Sequence, residues 1–392
     1  MFRGIMHIRF WLIFIAVHFT LIANDPTICL NMIVKDESAV ITRCLGSLKS
    51  LIDYWVIVDT GSTDGTQKII KEFMKDVPGE LHERPWKNFG HNRNEALSLA
   101  KGKGDYLLFI DADEIFQHEP NYKFPKLDKD FYFITTNFNG THYGRVQLVN
   151  NHLGWKWEGV LHEGLACKGA RSSGLIKGIT NFVYTDGARS KDPKKYEKDA
   201  LALEEALLLE PKNSRYVFYL AQSYKDAGNY PKALENYQKR IEMKGWDEEV
   251  FISMLYSAEM KELMEYPKED VVKSYVKAFE YRPSRREPLY RLAQYLRKNE
   301  HYAHGYVVAK AGLAIPQPKD LLFVDTGSYS YGTLLESSIC AYWMGKYQEC
   351  HDETCQILAI KDLPLHIKEC AERNLAFAKQ KIKEETVNVS TN

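Results

Sequence analysis

Three carboxylates, Asp111, Asp113 and Glu114, are the residues best suited to chemistry, and they directly follow the apolar run 106–110. Such a run is typical of a buried strand in a parallel sheet, and ligands of these sheets bind where the strands end. Mg²⁺ and Mn²⁺ prefer oxygen ligands and often hold substrate phosphates as well. The pattern therefore predicts a divalent cation site for a phosphorylated ligand, although an acidic turn without a ligand has the same composition.

Alternation along a strand adds a geometric expectation for this motif. If the strand continued through it, Asp111 and Asp113 would point to one side and Ala112 to the other. Two carboxylates on one side can share a single cation. We therefore expect both acids to face the same ligand.

Two strands are predicted upstream, and each of them also ends in an acid. The first begins near Ile28, runs into Asp36 and is followed by a helical pattern, while the second, 55–58, opens into the polar segment 59–66. That segment can contact a nucleoside, or it can serve only to cap the next helix. Strands that alternate with helices predict a parallel sheet with right-handed crossovers. We therefore expect Asp36, Asp59 and the later acids at one edge of the sheet.

Three short motifs carry a resemblance to a known family. They are Val-Lys-Asp-Glu ending at Glu37, Val-Asp-Thr-Gly-Ser-Thr-Asp-Gly-Thr beginning at Val58, and Phe-Ile-Asp-Ala-Asp-Glu ending at Glu114. In this order they resemble family 2 glycosyltransferases of the GT-A fold, over residues 27–187. The resemblance implies an inverting transfer from a nucleotide-sugar donor, with a UDP-sugar expected, to a glycan, lipid or protein acceptor. It also implies Mn²⁺ or Mg²⁺ as the cofactor.

The same resemblance assigns the donor site residue by residue. Asp36 and Asp59 are implied to lie around the nucleoside, although Thr60 stands where many members carry a second Asp. Asp111 is implied to face the ribose or the metal, and Asp113 is the stronger metal ligand. Arg93, in an Arg-Asn-x-Ala-Leu helix like that of related transferases, is implied to approach the diphosphate, since a guanidinium pairs well with phosphate oxygens. An ordinary surface arginine is the alternative.

The pair His162 and Glu163 lies after the predicted sheet. An inverting transferase needs a base for the acceptor proton and a group that completes the metal shell. By resemblance to the subgroup with a His-Glu pair at this place, His162 is implied to contact the metal or the diphosphate, and Glu163 to be the general base. A structural histidine beside a solvated glutamate is the alternative.

From about residue 196 the composition changes to long helical patterns. Leu220 and Tyr230 recur as Leu292 and Tyr302, and half of that offset is close to the length of a tetratricopeptide unit. We predict an α/β GT-A domain over 25–190 with a mainly parallel sheet, and an all-α, tetratricopeptide-like repeat domain over 191–380 with about four helical hairpins. Such repeats bind a protein partner or the acceptor, or they only brace the fold.

The two ends of the chain and its charge complete the sequence-based expectations. Residues 1–24 contain the apolar run 10–23 and are predicted to be a signal peptide or signal anchor. The protein would then be secretory or membrane-associated, and otherwise cytoplasmic. Residues 381–392 are predicted to be a flexible tail. The 52 basic residues balance the 52 acidic ones, which argues against nucleic acid as a partner.

A binding protein is the competing functional class. In that alternative the GT-A-like domain is a catalytically inactive scaffold, and the repeats bind a protein partner. The acids at every mapped position argue against it, whereas Thr60 is a departure from the family pattern. Donor hydrolysis in the presence of Mn²⁺ distinguishes the two classes.

Overall fold

The computed structural model describes residues 25–138, 141–320 and 322–390, so the predicted signal segment 1–24 lies outside the described residues. The described chain divides into two compact units. The first contains 25–87, 91–158 and 164–188, and the second contains 88–90, 159–163 and the chain from Arg189 onward.

The first unit is built on one large sheet. Its strands are β1 (Ile28–Val34), β2 (Tyr54–Asp59), β3 (Gly79–Glu83), β4 (Tyr106–Phe109), β5 (Glu114–His118), β6 (Phe131–Phe138), β7 (Thr141–Asn150), β8 (Lys156–Glu158), β9 (Gly164–Ala166) and β10 (Ser173–Val183). Eight of them form the sheet, in the order β3-β2-β1-β4-β7-β6-β10-β5, and β8 and β9 form a separate antiparallel pair. Strands β3, β2, β1 and β4 are parallel, as are β6 and β10, while β7 is antiparallel to both β4 and β6, and β5 is antiparallel to β10. The predicted α/β fold with a mainly parallel sheet is thus confirmed.

Helices connect the parallel strands and cover the sheet. They are α1 (Ile41–Leu48), α2 (Thr66–Phe73) and α3 (Phe89–Leu99). Helix α1 shows most clearly why these segments are helical. Its buried residues recur at helical spacing, so that one face packs against the sheet, and they are Ile41, Cys44, Leu45 and Leu48. β4 is buried along its whole length, which explains its continuous apolar sequence. The parallel arrangement brings the carboxyl ends of β1, β2 and β4 to one edge of the sheet.

The second unit consists of helices. They are α4 (Lys195–Leu209), α5 (Ser214–Asp226), α6 (Tyr230–Met243), α7 (Asp247–Leu263), α8 (Lys268–Tyr281), α9 (Glu287–Lys298), α10 (Tyr302–Leu313), α11 (Thr333–Trp343), α12 (Tyr347–Leu358) and α13 (Leu365–Ser390). Most of them pack against their neighbours in the chain, as α5 does with α6 and α9 with α10, which confirms the predicted all-α, tetratricopeptide-like arrangement. Tyr230 and Tyr302, which carry the sequence repeat, are the first residues of α6 and α10.

Helix α13 runs through most of the segment that the sequence predicts to be a flexible tail. The helical state is favoured there because the segment contains no proline or glycine, and because Glu384 accepts hydrogen bonds from Gln380 and Lys381 at 2.9 and 2.8 Å. Across the described ranges, none of the helices is both long and apolar enough to cross a membrane.

Candidate active site at the carboxyl edge of the sheet

The loops after β1 and β2 are tied together by hydrogen bonds. Asp36 has a left-handed backbone, with a φ of 54°, and its N–H donates to Ser62 Oγ at 2.8 Å. The carboxylate Oδ1 of Asp36 accepts from the backbone N–H of Thr63 at 2.7 Å. These hydrogen bonds hold Asp36 against the loop 59–66. Strand order alone predicted that Asp36 and Asp59 lie at the same edge of the sheet, and these contacts agree with that prediction.

Asp59 lies at the end of β2 and is 1% exposed. Its Oδ1 accepts from the backbone N–H groups of Gly61 and Ser62 at 2.9 and 2.8 Å, and from Gln67 Nε2 at 3.1 Å. Gly61 has a φ of 108°, a conformation that side chains disfavour, so glycine permits this tight turn. The second oxygen, Oδ2, is buried and has no hydrogen-bond partner within the described residues. A buried polar atom without a partner indicates water, an ion or a ligand in the functional state.

Thr60 is the position that departs from the family motif. Its side chain is buried, and its Oγ1 donates to the carbonyl oxygen of Val34 at 3.1 Å. The backbone N–H of Thr60 donates to the same oxygen at 2.9 Å. Threonine at this position therefore strengthens the link between the ends of β1 and β2.

The Asp-x-Asp motif forms a turn, so the expected alternation of its side chains is wrong. Strand β4 ends at Phe109, and the N–H of Glu114 donates back to the carbonyl oxygen of Asp111 at 3.1 Å. A turn closed by this hydrogen bond does not follow the two-residue period of a strand. As a result, Asp111 and Asp113 have different neighbours.

Two arginines lie against Asp111. Arg93 donates to Asp111 Oδ1 at 2.6 Å, and Arg145 on β7 lies 3.6 Å from Oδ2. Arg145 also binds Glu114 in a bidentate pair, at 2.5 and 2.8 Å. Burial raises the pKa of Glu114, and the charge of Arg145 opposes that rise. Sequence reasoning missed Arg145, and its only signal was a basic residue at the start of the strand-like run 145–150.

Asp113 is covered by the chain segment that follows β10. Burial and the neighbouring Asp111 raise the pKa of the Asp113 carboxyl group. The chain after β10 covers it, because the N–H of Tyr184 donates to the Asp113 carbonyl at 3.1 Å and a Cβ on Gly187 would come within 3.0 Å of Asp113 Oδ2. Two carboxylates in this environment repel each other, and a cation between them would relieve that repulsion.

Arg93 is positioned by the aromatic side chain of Trp157. The guanidinium carbon lies 5.1 Å from the centre of the Trp157 ring, which meets Phe109 edge-on at 5.3 Å. Asn94 fixes the backbone of Trp157. Its side chain accepts a hydrogen bond from the backbone N–H of Trp157 at 2.9 Å and donates one to the backbone carbonyl of Trp157 at 2.8 Å. Trp157 therefore serves as packing beneath Arg93, and together with Asp111 it determines where the guanidinium lies.

His162 and Glu163 belong to the helical unit. His162 has a φ of 52°, and its ring stacks on Tyr219 at 3.9 Å although part of the residue stays exposed. Desolvation of the ring, together with the nearby cations Arg189 and Arg215, lowers the pKa of His162 to about 4. The imidazole is therefore neutral at neutral pH, which is the form that binds metal ions.

We expect an NMR titration of His162 to show a midpoint well below the ordinary value of about 6.5. The imidazolium is disfavoured because Tyr219 covers one ring face and positive charges lie nearby. In the variant Tyr219→Ala the ring regains water, so the midpoint should rise. An unshifted midpoint in the wild-type protein would contradict this description.

Part of the α/β unit is similar to a known protein family. Residues 29–149 match the model of glycosyl transferase family 2. The SPbeta prophage-derived glycosyltransferase SunS of Bacillus subtilis is 28% identical over 241 residues, which is 55% of this chain and 55% of that protein. The chain thus spans about half the length of this relative. A TPR repeat-containing protein of Synechococcus elongatus is 39% identical over 87 residues, or 22% of this chain and 20% of that protein.

Among solved structures, S. aureus TarS 1–349 in complex with UDP-GlcNAc aligns with a TM-score of 0.37 and 15% identity. The alignment covers 60% of this chain and 88% of that chain.

Within the described residues, no group of three or more His, Cys, Asp or Glu side chains is arranged to hold a metal ion.

Proposed function

We propose that this protein transfers a sugar from a nucleotide-sugar donor to an acceptor hydroxyl with inversion, and the match of residues 29–149 to the model of glycosyl transferase family 2 supports the proposal. The observation that carries the proposal is the meeting of three acidic strand ends, at Asp36, Asp59 and Asp111, along one edge of the sheet. A crevice at the carboxyl ends of parallel strands is where α/β proteins bind nucleotides.

The nucleoside end of the donor is proposed to bind at Asp59. Within the described part of the chain its Oδ2 has no hydrogen-bond donor, and a base or ribose N–H or O–H group would supply one. The loop 59–66, held to Asp36 by Ser62 and Thr63, keeps this acid in place before the donor arrives. UDP-sugars are the first donors to test.

A substitution at Asp59 tests the nucleoside site. Asp59→Asn keeps the size and most of the turn but replaces one acceptor oxygen with a donor nitrogen. We expect the affinity for nucleoside diphosphate to fall by about tenfold or more, since each 1.4 kcal/mol is tenfold in affinity. Isothermal titration with UDP measures this affinity, and Asp53→Asn, at the exposed residue just before β2, is the control. Equal affinity for UDP in the two variants would exclude Asp59 from the nucleoside site.

The acidic turn is proposed to hold Mg²⁺ or Mn²⁺ through Asp113 and Asp111. The residues fit a divalent ion, because both are hard oxygen ligands and because the pKa of Asp113 is raised by burial and by Asp111. Magnesium sites commonly use one or two carboxylates together with substrate phosphates, so a larger protein cluster is not required. The neutral imidazole of His162 is suited to contact the metal ion or the diphosphate. When bound, such an ion would supply positive charge that stabilises the diphosphate leaving group.

Arg93 is proposed to bind the diphosphate, and Glu163 to act as the general base. The guanidinium donates to Asp111, and its fork of N–H donors is suited to phosphate oxygens. In the transfer, the acceptor oxygen forms a bond to the anomeric carbon and gives its proton to the Glu163 carboxylate. The bond from that carbon to the diphosphate breaks, and the nucleoside diphosphate leaves. A single displacement of this kind inverts the anomeric centre.

The helical repeats are proposed to bind the acceptor or a protein partner. Stacked hairpins bury a shared core and leave an extended surface for peptides or proteins. In the competing proposal, the α/β domain is inactive and the repeats alone carry the function.

Donor hydrolysis tests the transferase proposal. The full chain is incubated with a panel of nucleotide sugars and Mn²⁺, and the release of nucleoside diphosphate is measured. We expect release from one or a few donors, abolished by a chelator and restored by added Mn²⁺. A panel without release, and without a rise in melting temperature for any donor, would favour the inactive scaffold.

A further inference from the structure

The helical unit contains a cavity of about 760 Å³, a volume typical of ligand pockets. Lys310 and Leu313 on α10, Tyr329, and the acids Glu349, Asp352 and Glu353 on α12 are among its lining residues. None of these residues is part of the proposed donor site. The cavity therefore has a chemistry of its own.

Acids outnumber cations in the lining, which holds three carboxylates but only Lys310 and Arg286 as cations. Lys310 Nζ is shared between Glu349 and Glu353, at 2.9 and 3.0 Å. Arg286 is buried, and its guanidinium donates to backbone carbonyls, including those of Ile315 at 2.9 Å and Ser328 at 3.2 Å. Hydrogen bonds to neutral carbonyls leave the charge of Arg286 in place, so the lining carries one carboxylate more than it has cations. Lys346, which is outside the lining, lies 3.7 Å from Glu349.

Glu353 is the most buried of the three acids in the lining. The residue is 5% exposed, and its Oε1 accepts from Lys310 and from Ser337 Oγ, the latter at 2.9 Å. Its Oε2 is buried and has no hydrogen-bond partner among the residues that the structure describes. By contrast, Glu349 also accepts from Tyr306 at 2.8 Å, and Asp352 accepts from Gln348 at 2.9 Å. Leaving a buried carboxylate oxygen unpaired is costly, so this oxygen indicates a missing donor.

We infer that this cavity binds the basic side chain of a peptide segment. A lysine ammonium or arginine guanidinium supplies both the hydrogen-bond donor for Glu353 and the positive charge that the lining lacks. Leu313, Leu334 and the ring of Tyr329 provide apolar surface for the methylene chain of such a residue. A nucleotide or another anion is disfavoured by the excess of carboxylates. The inference is independent of sugar transfer, since it concerns binding that requires no donor.

Two capped peptides test the inference on the full chain. The first is Ac-Leu-Ala-Lys-Ala-Leu-NH₂, and the second has norleucine in place of lysine, which keeps the methylene chain and removes the charge. Isothermal titration at low salt measures both affinities. We expect the lysine peptide to bind at least about tenfold more tightly, and the difference to shrink at high salt because ions screen the pairing. Equal affinities, or no binding of either peptide, would overturn the inference.

Substitutions locate the binding to the cavity. Glu353→Gln keeps the shape and the acceptor for Ser337, and we expect it to weaken binding of the lysine peptide by about tenfold or more. Asp352 is less buried than Glu353, so Asp352→Asn replaces Glu353→Gln if that variant does not fold. We expect Asp352→Asn to weaken binding of the lysine peptide as well. Glu369→Gln on α13 is the matched control, since Glu369 is exposed and outside the cavity. Unchanged affinity in both cavity variants would overturn the assignment, whatever the outcome of the donor experiments.

Discussion

Asp113→Asn is expected to lower the rate of sugar transfer by about 10²–10³-fold or more, the range for removing one preorganised electrostatic contact. Asparagine keeps the shape of the side chain but binds a divalent ion weakly. The variant should also lose affinity for Mn²⁺, which electron paramagnetic resonance of the free ion measures without any turnover. These two losses should occur together.

Folding should survive this substitution. The pKa of Asp113 is raised by burial and by Asp111, so the folded protein disfavours the charged form, and a neutral side chain should not lower stability. Below the unfolded-state pKa, where Asp113 is protonated in both states, the difference between variant and wild type should disappear. Asp76→Asn on the exposed surface of the same unit is the control. Wild-type rates and Mn²⁺ affinity in Asp113→Asn would remove the metal proposal.

Glu163→Gln is expected to lower kcat by about 10²–10⁴-fold, the usual contribution of a general base. Glutamine retains hydrogen bonding but cannot accept the acceptor proton. Because the base acts on the acceptor, the affinity for nucleoside diphosphate should stay unchanged, and initial rates with separate titration of UDP measure both quantities.

The control for this substitution is Glu158→Gln, an exposed acid on β8. It should leave kcat at the wild-type value. A normal kcat in Glu163→Gln would exclude the residue as the base while leaving the donor site unaffected. A parallel loss of UDP affinity would instead indicate a role in donor binding.

Much of the fold follows from local patterns in the sequence. Apolar runs that end in acids predicted β1, β2 and β4, because burial on both faces of a parallel sheet requires continuous apolar residues. The repeated Leu and Tyr positions predicted the helical hairpins, since each hairpin buries the same face. The same patterns gave the edge of the sheet at which Asp36, Asp59 and Asp111 meet.

The sequence by itself therefore determined the fold class, the order of the units and the acids at the sheet edge, because each depends on periodicity and on strand order. Only the tertiary structure decided the partners of those acids. Arg145 reaches Asp111 and Glu114 from another strand, and the chain turns at Asp111 instead of continuing as a strand. The second oxygen of Asp59 has no donor among the residues that the structure describes. These contacts join residues distant in the chain, and hydrogen bonds and charge pairs depend on distances that no local pattern encodes.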